Sequence, residues 1–117
     1  MKSSTGDRQR LQHILQAIND IEEFTAGITY QEYSENYMLR LAVVKLLEMI
    51  GEASSQLTDN LKQEFSDVEW AVLKGMRNVF VHEYFGIDYE IVWNSLNKNL
   101  PLLKEKIQKI IAVKYPY

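Results

Sequence analysis

Apolar residues recur three and four positions apart along almost the whole chain, the mark of helices with one buried stripe. Leu11, Ile14, Leu15, Ile18, Ile21 and Phe24 form the first stripe. It predicts a helix that starts near Asp7 and stops at Gly27, a residue suited to a left-handed cap. Thr29-Tyr30-Gln31-Glu32 then reads as a capping box, Thr29 capping and Glu32 reaching back, and opens a short turn or helix. A second long helix is expected from about Glu35 to Leu57. It is apolar most of the way round, through Met38, Leu39, Leu41, Ala42, Val43, Val44, Leu46, Leu47, Met49 and Ile50. Lys45, Glu48 and Glu52 fall in one narrow polar strip. Such a helix belongs at the centre of a bundle or in an oligomer interface. Gly51 within it costs about 1 kcal/mol relative to Ala, which points to a close approach by another backbone.

Thr58-Asp59-Asn60 breaks this pattern and can cap a helical turn running to Phe65. Ser66-Asp67-Val68-Glu69 reads as a second capping box. It is expected to open a third helix with Trp70, Val72, Leu73, Met76, Val79 and Phe80 inward. Gly86 interrupts the chain. Asp88 can cap a fourth helix, with Ile91, Val92, Leu96, Leu100, Leu103, Ile107, Ile110 and Ile111 as its buried stripe. Pro101 lies inside that helix and should kink it or split it in two. The expected fold is therefore all-α: an up-down bundle of four main helices plus short helical turns, forming one domain over residues 1–117.

Composition narrows the function. Five Gly and two Pro in 117 residues are too few for a loop-rich β protein. There is no Cys, so disulfides and thiolate metal sites are excluded. His13 has no partner at metal-ligand spacing and reads as a surface residue. No metal and no cofactor is expected. The polar start Met1-Lys2-Ser3-Ser4-Thr5-Gly6 has no apolar signal core, and no apolar run approaches the roughly 20 residues that span a bilayer. A cytoplasmic protein with no membrane partner is expected. The net charge of −3 is unevenly spread. From Asn97 onward five Lys face Glu105 alone, a net of +4, which leaves −7 for the first 96 residues. An acidic body disfavours broad nucleic-acid binding. The basic final helix could steer a polyanion, but a solvated face is the simpler reading. The seven Tyr look too scattered along the chain for base stacking.

One stretch does not read as core: Arg77-Asn78-Val79-Phe80-Val81-His82-Glu83-Tyr84. At about 100° per residue, Val72, Leu73, Met76, Val79 and Phe80 fall in an arc roughly 120° wide. Lys74, Asn78 and His82 cluster on the other side, within roughly 80°. Arg77 and Tyr84 nearly eclipse each other at the edge of the core arc. These residue types suit phosphate chemistry. Metal-free RNA cleavage needs a base for the ribose 2′-OH, an acid for the leaving 5′-oxygen and a cation for the transition state. His82 can carry the proton and Arg77 the charge. On an unbroken helix, however, the two sit about 140° apart. Either the helix unwinds near His82, or a second copy across a two-fold axis completes the site. The dimer is favoured, because the apolar helices offer surfaces for it.

This stretch resembles the signature of the HEPN domain, specifically the HepT-like toxins of HEPN/MNT toxin–antitoxin pairs: Arg, four residues, His, one residue, Tyr, often with Asn after the Arg. The flanks are similar too, in Ile50-Gly51-Glu52-Ala53, Trp70, Gly86-Ile87-Asp88, Val92-Trp93 and Leu100-Pro101, so the resemblance covers nearly the whole chain. It implies an all-α dimer with two motifs in one cleft and metal-independent endoribonuclease activity. It also implies a minimal nucleotidyltransferase antitoxin that transfers AMP from ATP to the motif Tyr. Carried onto this chain, His82 is the acid/base, Arg77 the phosphate stabiliser, Asn78 a positioning residue and Tyr84 the adenylylation acceptor. Glu48 and Glu52 could line the cleft and raise the pKa of His82, or simply be solvated. Two other readings stay open. One is a non-catalytic helical module that binds or assists a nucleotidyltransferase. The other is a purely structural helical dimer, which would leave the polar cluster unexplained.

Overall fold

The first stripe turns inward as its spacing requires. Leu11, Ile14, Ile18 and Ile21 are all fully buried. The computed structural model describes residues 4–75 and 86–116. Among them every regular element is a helix: α1 (Ser4–Thr25), α2 (Tyr30–Glu35), α3 (Tyr37–Ser55), α4 (Asp59–Glu64), α5 (described over 70–75), α6 (Tyr89–Lys98) and α7 (Leu100–Lys114). The fold is the expected all-α bundle. Helix α1 lies against α3 and α7, and the short α2 bridges α3 and α6. The core joins the α1 stripe to Val43, Leu47 and Ile50 of α3 and to Ile107 and Ile110 of α7.

Several boundaries follow local capping chemistry. Gly27 ends the first helical segment at φ +72, the one described residue in the left-handed region, where a side chain would be strained. The Thr29 capping box is fully formed: the Thr29 hydroxyl accepts from the Glu32 N–H at 3.1 Å, and the Glu32 carboxylate accepts from the Thr29 N–H at 3.0 Å. The long apolar helix starts at Tyr37 rather than Glu35, because the Asn36 side chain caps it by accepting from the Leu39 N–H. It ends at Ser55, two residues before the expected Leu57. Thr58 caps α4 through the Leu61 N–H.

Two expectations at helix starts are corrected. Helix α1 begins at Ser4, so Asp7 lies inside it. Asp7 is buried, and its carboxylate accepts from the backbone N–H of Thr58 at 3.0 Å and from the Thr58 hydroxyl at 2.6 Å. It fastens the α3–α4 connection to α1. We expect Asp7→Ala to lower unfolding free energy by about 2 kcal/mol, because two charge-assisted bonds are lost and two partly buried donors of Thr58 lose their acceptor. Urea denaturation checks this; a loss under about 0.5 kcal/mol would contradict it. Second, Ser66 does not cap α5. The helix begins at residue 70, and the Glu69 carbonyl accepts from Val72 and Leu73. The Phe65 carbonyl takes the Val68 N–H and the Trp70 indole N–H, and this turn holds the chain before the helix instead.

Pro101 splits the last helix rather than kinking it. Helix α6 closes on Asn99, and α7 opens with Pro101 in its first turn, where a missing N–H costs nothing. The buried stripes are narrower than their spacing implied. Phe24, Val72 and Ile91, all assigned inward, are about half exposed or more. On α3, Met38 is 81% exposed, and Leu41 and Met49 are also open. Periodicity locates a stripe, but only neighbouring helices decide how much of it is covered. Met76, Val79 and Phe80 lie outside the described residues.

Candidate functional site

The chain enters the Arg77–Tyr84 stretch through α5 and leaves it at Gly86. Both approaches are anchored. On entry, Leu73 is buried in the core and the Trp70 indole N–H donates to the Phe65 carbonyl at 3.0 Å. Lys74, placed on the polar side by the wheel, is exposed. On exit, Ile87 packs on the core. Asp88 then caps α6, accepting from the N–H groups of Glu90 and Ile91 at 3.0 and 3.2 Å. Arg77, Asn78, His82 and Tyr84 themselves lie outside the described residues.

Behind that exit stands an aromatic cluster. Tyr33 is fully buried, and its hydroxyl donates to the Tyr89 carbonyl at 3.2 Å, tying α2 to the first turn of α6. Burial pushes its phenol up to about 12, against a smaller opposing pull from the Arg40 guanidinium, so it remains a neutral donor. Its ring lies 4.8 Å from that of Trp93, and Tyr30 leans on both at 6.2 Å. The Arg40 guanidinium sits over the rings of Tyr37 and Tyr89, at 5.5 and 5.0 Å, and donates to the Ser34 carbonyl. Four of the seven tyrosines thus converge, which corrects their reading as scattered. Part of the signal was local: Tyr30 and Tyr33 share one face of α2, and Tyr89 and Trp93 one face of α6. That α2 meets α6 is a tertiary fact no spacing reveals.

The remaining candidates sit on α3. Glu48 is half-buried and pairs with Lys45 at 3.4 Å. Glu52 is exposed and accepts weakly from the Gln56 side-chain amide at 3.5 Å. Met38, Leu41 and Met49 are exposed on the same side of α3. A cleft of about 280 Å³ opens between α3, α5 and the α6–α7 pair, lined mainly by Leu47, Ile50, Leu73, Leu96 and Leu103, with Val72 at its margin. The basic final helix is largely spoken for. Lys104 pairs with Glu22, Lys114 with Glu64, and Lys106 donates to the Asp67 carbonyl. That favours the solvated-face reading over polyanion steering. His13 is exposed. Among the described residues, no group of three or more His, Asp or Glu could hold a metal, and no helix is long and apolar enough to cross a membrane.

Comparison with known proteins adds what this geometry leaves open. The profile of a family described as Ribonuclease HepT-like matches residues 14–110, a span that runs through the Arg77–Tyr84 stretch. A candidate RNase of Methanocaldococcus jannaschii is 40% identical over 98 residues, 84% of this chain and 90% of that protein. A candidate RNase of Caldanaerobacter subterraneus subsp. tengcongensis is 36% identical over 104 residues, 89% of this chain and 93% of its own. A candidate ribonuclease HepT of Thermococcus cleftensis is 34% identical over 100 residues, 86% of this chain and 91% of its own. No solved structure matches the chain.

Proposed function

The chain belongs to the HepT-like ribonuclease family, and from that footing we propose that it is a cytoplasmic, metal-independent endoribonuclease toxin whose site is Arg77, Asn78 and His82. The observation that carries this is the family match, which spans the motif and most of the bundle. The chemistry needs no metal. His82 takes the proton of a ribose 2′-OH, the freed oxygen attacks the adjacent phosphorus, and the bond to the 5′-oxygen breaks. A second acid returns a proton to that oxygen, leaving a 2′,3′-cyclic phosphate and a 5′-hydroxyl. Arg77 offsets the charge that develops on the phosphoryl oxygens. Asn78 positions the phosphate.

The second acid is the partner copy's histidine in our reading. On an unbroken helix Arg77 and His82 would fall on different sides, whereas a two-fold axis would bring each motif to its mate. The exposed Met38, Leu41 and Met49 on α3, which share their face with Lys45, Glu48 and Glu52, supply the apolar part of the self-associating face in this reading. In this reading Glu48 and Glu52, on the same helix, line the shared cleft of the dimer, where a carboxylate would raise the pKa of His82. A minimal nucleotidyltransferase antitoxin is the proposed partner, and Tyr84 its AMP acceptor. An anionic, bulky AMP there would both fill the cleft and repel an RNA phosphate.

The test is cleavage of an end-labelled single-stranded RNA by the purified protein in excess EDTA. We expect cleavage at an undiminished rate, with cyclic phosphate at the new 3′ ends. Loss of cleavage on chelation, restored by a divalent cation, would contradict the mechanism.

A further inference from the structure

Tyr37 is 62% exposed and Tyr30 42% exposed, although both belong to an aromatic cluster whose other rings are buried or half-buried. Tyr33 and Trp93 account for the packing, because they fill the space between α2 and α6. The two outer rings are not needed for that. Beside Tyr37 stands Arg40, its guanidinium over the rings of Tyr37 and Tyr89 and one N–H committed to the Ser34 carbonyl, while Tyr30 leans on Tyr33 and Trp93. A guanidinium carries five donors in a planar fork, so Arg40 is both a stacking plane and a phosphate-binding group. The position matters as well. Tyr89 stands five residues beyond Tyr84, a length of chain that covers about 18 Å at full extension. The cluster therefore lies beside the exit from the motif, on an otherwise acidic body.

We propose that Tyr37, Tyr30 and Arg40 form a stacking platform for the bases of single-stranded RNA next to the scissile phosphate. This rests on the ribonuclease reading above and adds the class of substrate: an unpaired strand with splayed bases, gripped by ring faces. Single-stranded RNA is bound in this way, with bases stacked on aromatic rings or on guanidinium planes. Stacking of this kind tolerates any base, because every base has a π face. It also suits an acidic protein, since it supplies affinity without a broad basic patch. Tyr37 and Arg40 lie to one side of the Met38–Leu41–Met49 stripe, so the platform and a subunit contact on that stripe can coexist.

Steady-state cleavage of a short fluorogenic oligoribonucleotide tests this, comparing wild type with Tyr37→Ala and Tyr37→Phe and recording the sedimentation of each. The platform predicts that Tyr37→Ala raises KM on the order of tenfold with kcat little changed, the signature of lost uniform binding. Tyr37→Phe, which keeps the ring, should behave like wild type, and all three should sediment alike. If wild type cleaves but Tyr37→Ala keeps its KM, the platform is wrong and the ribonuclease reading stands. A fall in kcat alone, or a shift of Tyr37→Ala to monomer, overturns the platform too, the latter by making Tyr37 a subunit contact. If wild type neither binds nor cleaves RNA, both readings fall.

Discussion

His82→Ala should lower kcat for RNA cleavage by about 10²- to 10⁴-fold, the range that a positioned acid or base contributes. The upper end is the expectation here, because the proposed two-fold site would lose both of its histidines. The loss should appear in kcat and kcat/KM together, since proton transfer is realised only in the transition state. Fold and stability should be unchanged. Single-turnover cleavage of a defined RNA, with circular dichroism as the folding control, reads both. Cleavage by His82→Ala within threefold of wild type would remove His82 from the chemistry. The family match runs through the motif.

The second large effect concerns assembly. Met49→Asp places a carboxylate on the exposed face of α3 that also carries Met38, Leu41, Glu48 and Glu52. Near a two-fold axis every residue meets its own copy or a close neighbour of it, so one substitution introduces two charges. Burying unpaired charges costs several kcal/mol. A cost of about 3 kcal/mol weakens dimerisation roughly a hundredfold. Cleavage should fall in step with the dimer fraction and recover as protein concentration rises. Met49 is about half exposed, so the monomer should fold normally. Analytical ultracentrifugation beside activity over a concentration series is the check. A Met49→Asp protein that stays dimeric would move the contact elsewhere; one that is monomeric and fully active would show that a single chain holds the whole site.

How far the sequence alone carried this picture depends on the range of each interaction. The Thr29–Glu32 box is legible because both partners lie within four residues and the geometry is local. Pro101 is legible because its missing donor excludes a helix interior whatever surrounds it. Asp7 was misread as a helix start because its partner, Thr58, is 51 residues away. Ser66–Glu69 matches a capping pattern, yet the Phe65 carbonyl organised that turn first. Val72 and Ile91 fit their stripes but find no covering helix among the described residues. The tyrosine cluster was invisible for the same reason: it exists only because α2 meets α6. The Arg77–Tyr84 motif was singled out by residue types and spacing, and its residues lie outside the described ones. Its approaches through Trp70, Leu73 and Asp88 came only with the fold.

A composite site would need His82 from both subunits. Mixing wild type with His82→Ala, allowing subunits to exchange, and measuring cleavage against the wild-type fraction tests it most directly. If each active dimer requires two histidines, activity follows the square of that fraction, and an equal mixture keeps about one quarter of the starting rate. Activity in simple proportion to the wild-type fraction, about one half in the equal mixture, would show that each chain cleaves on its own and would contradict the account.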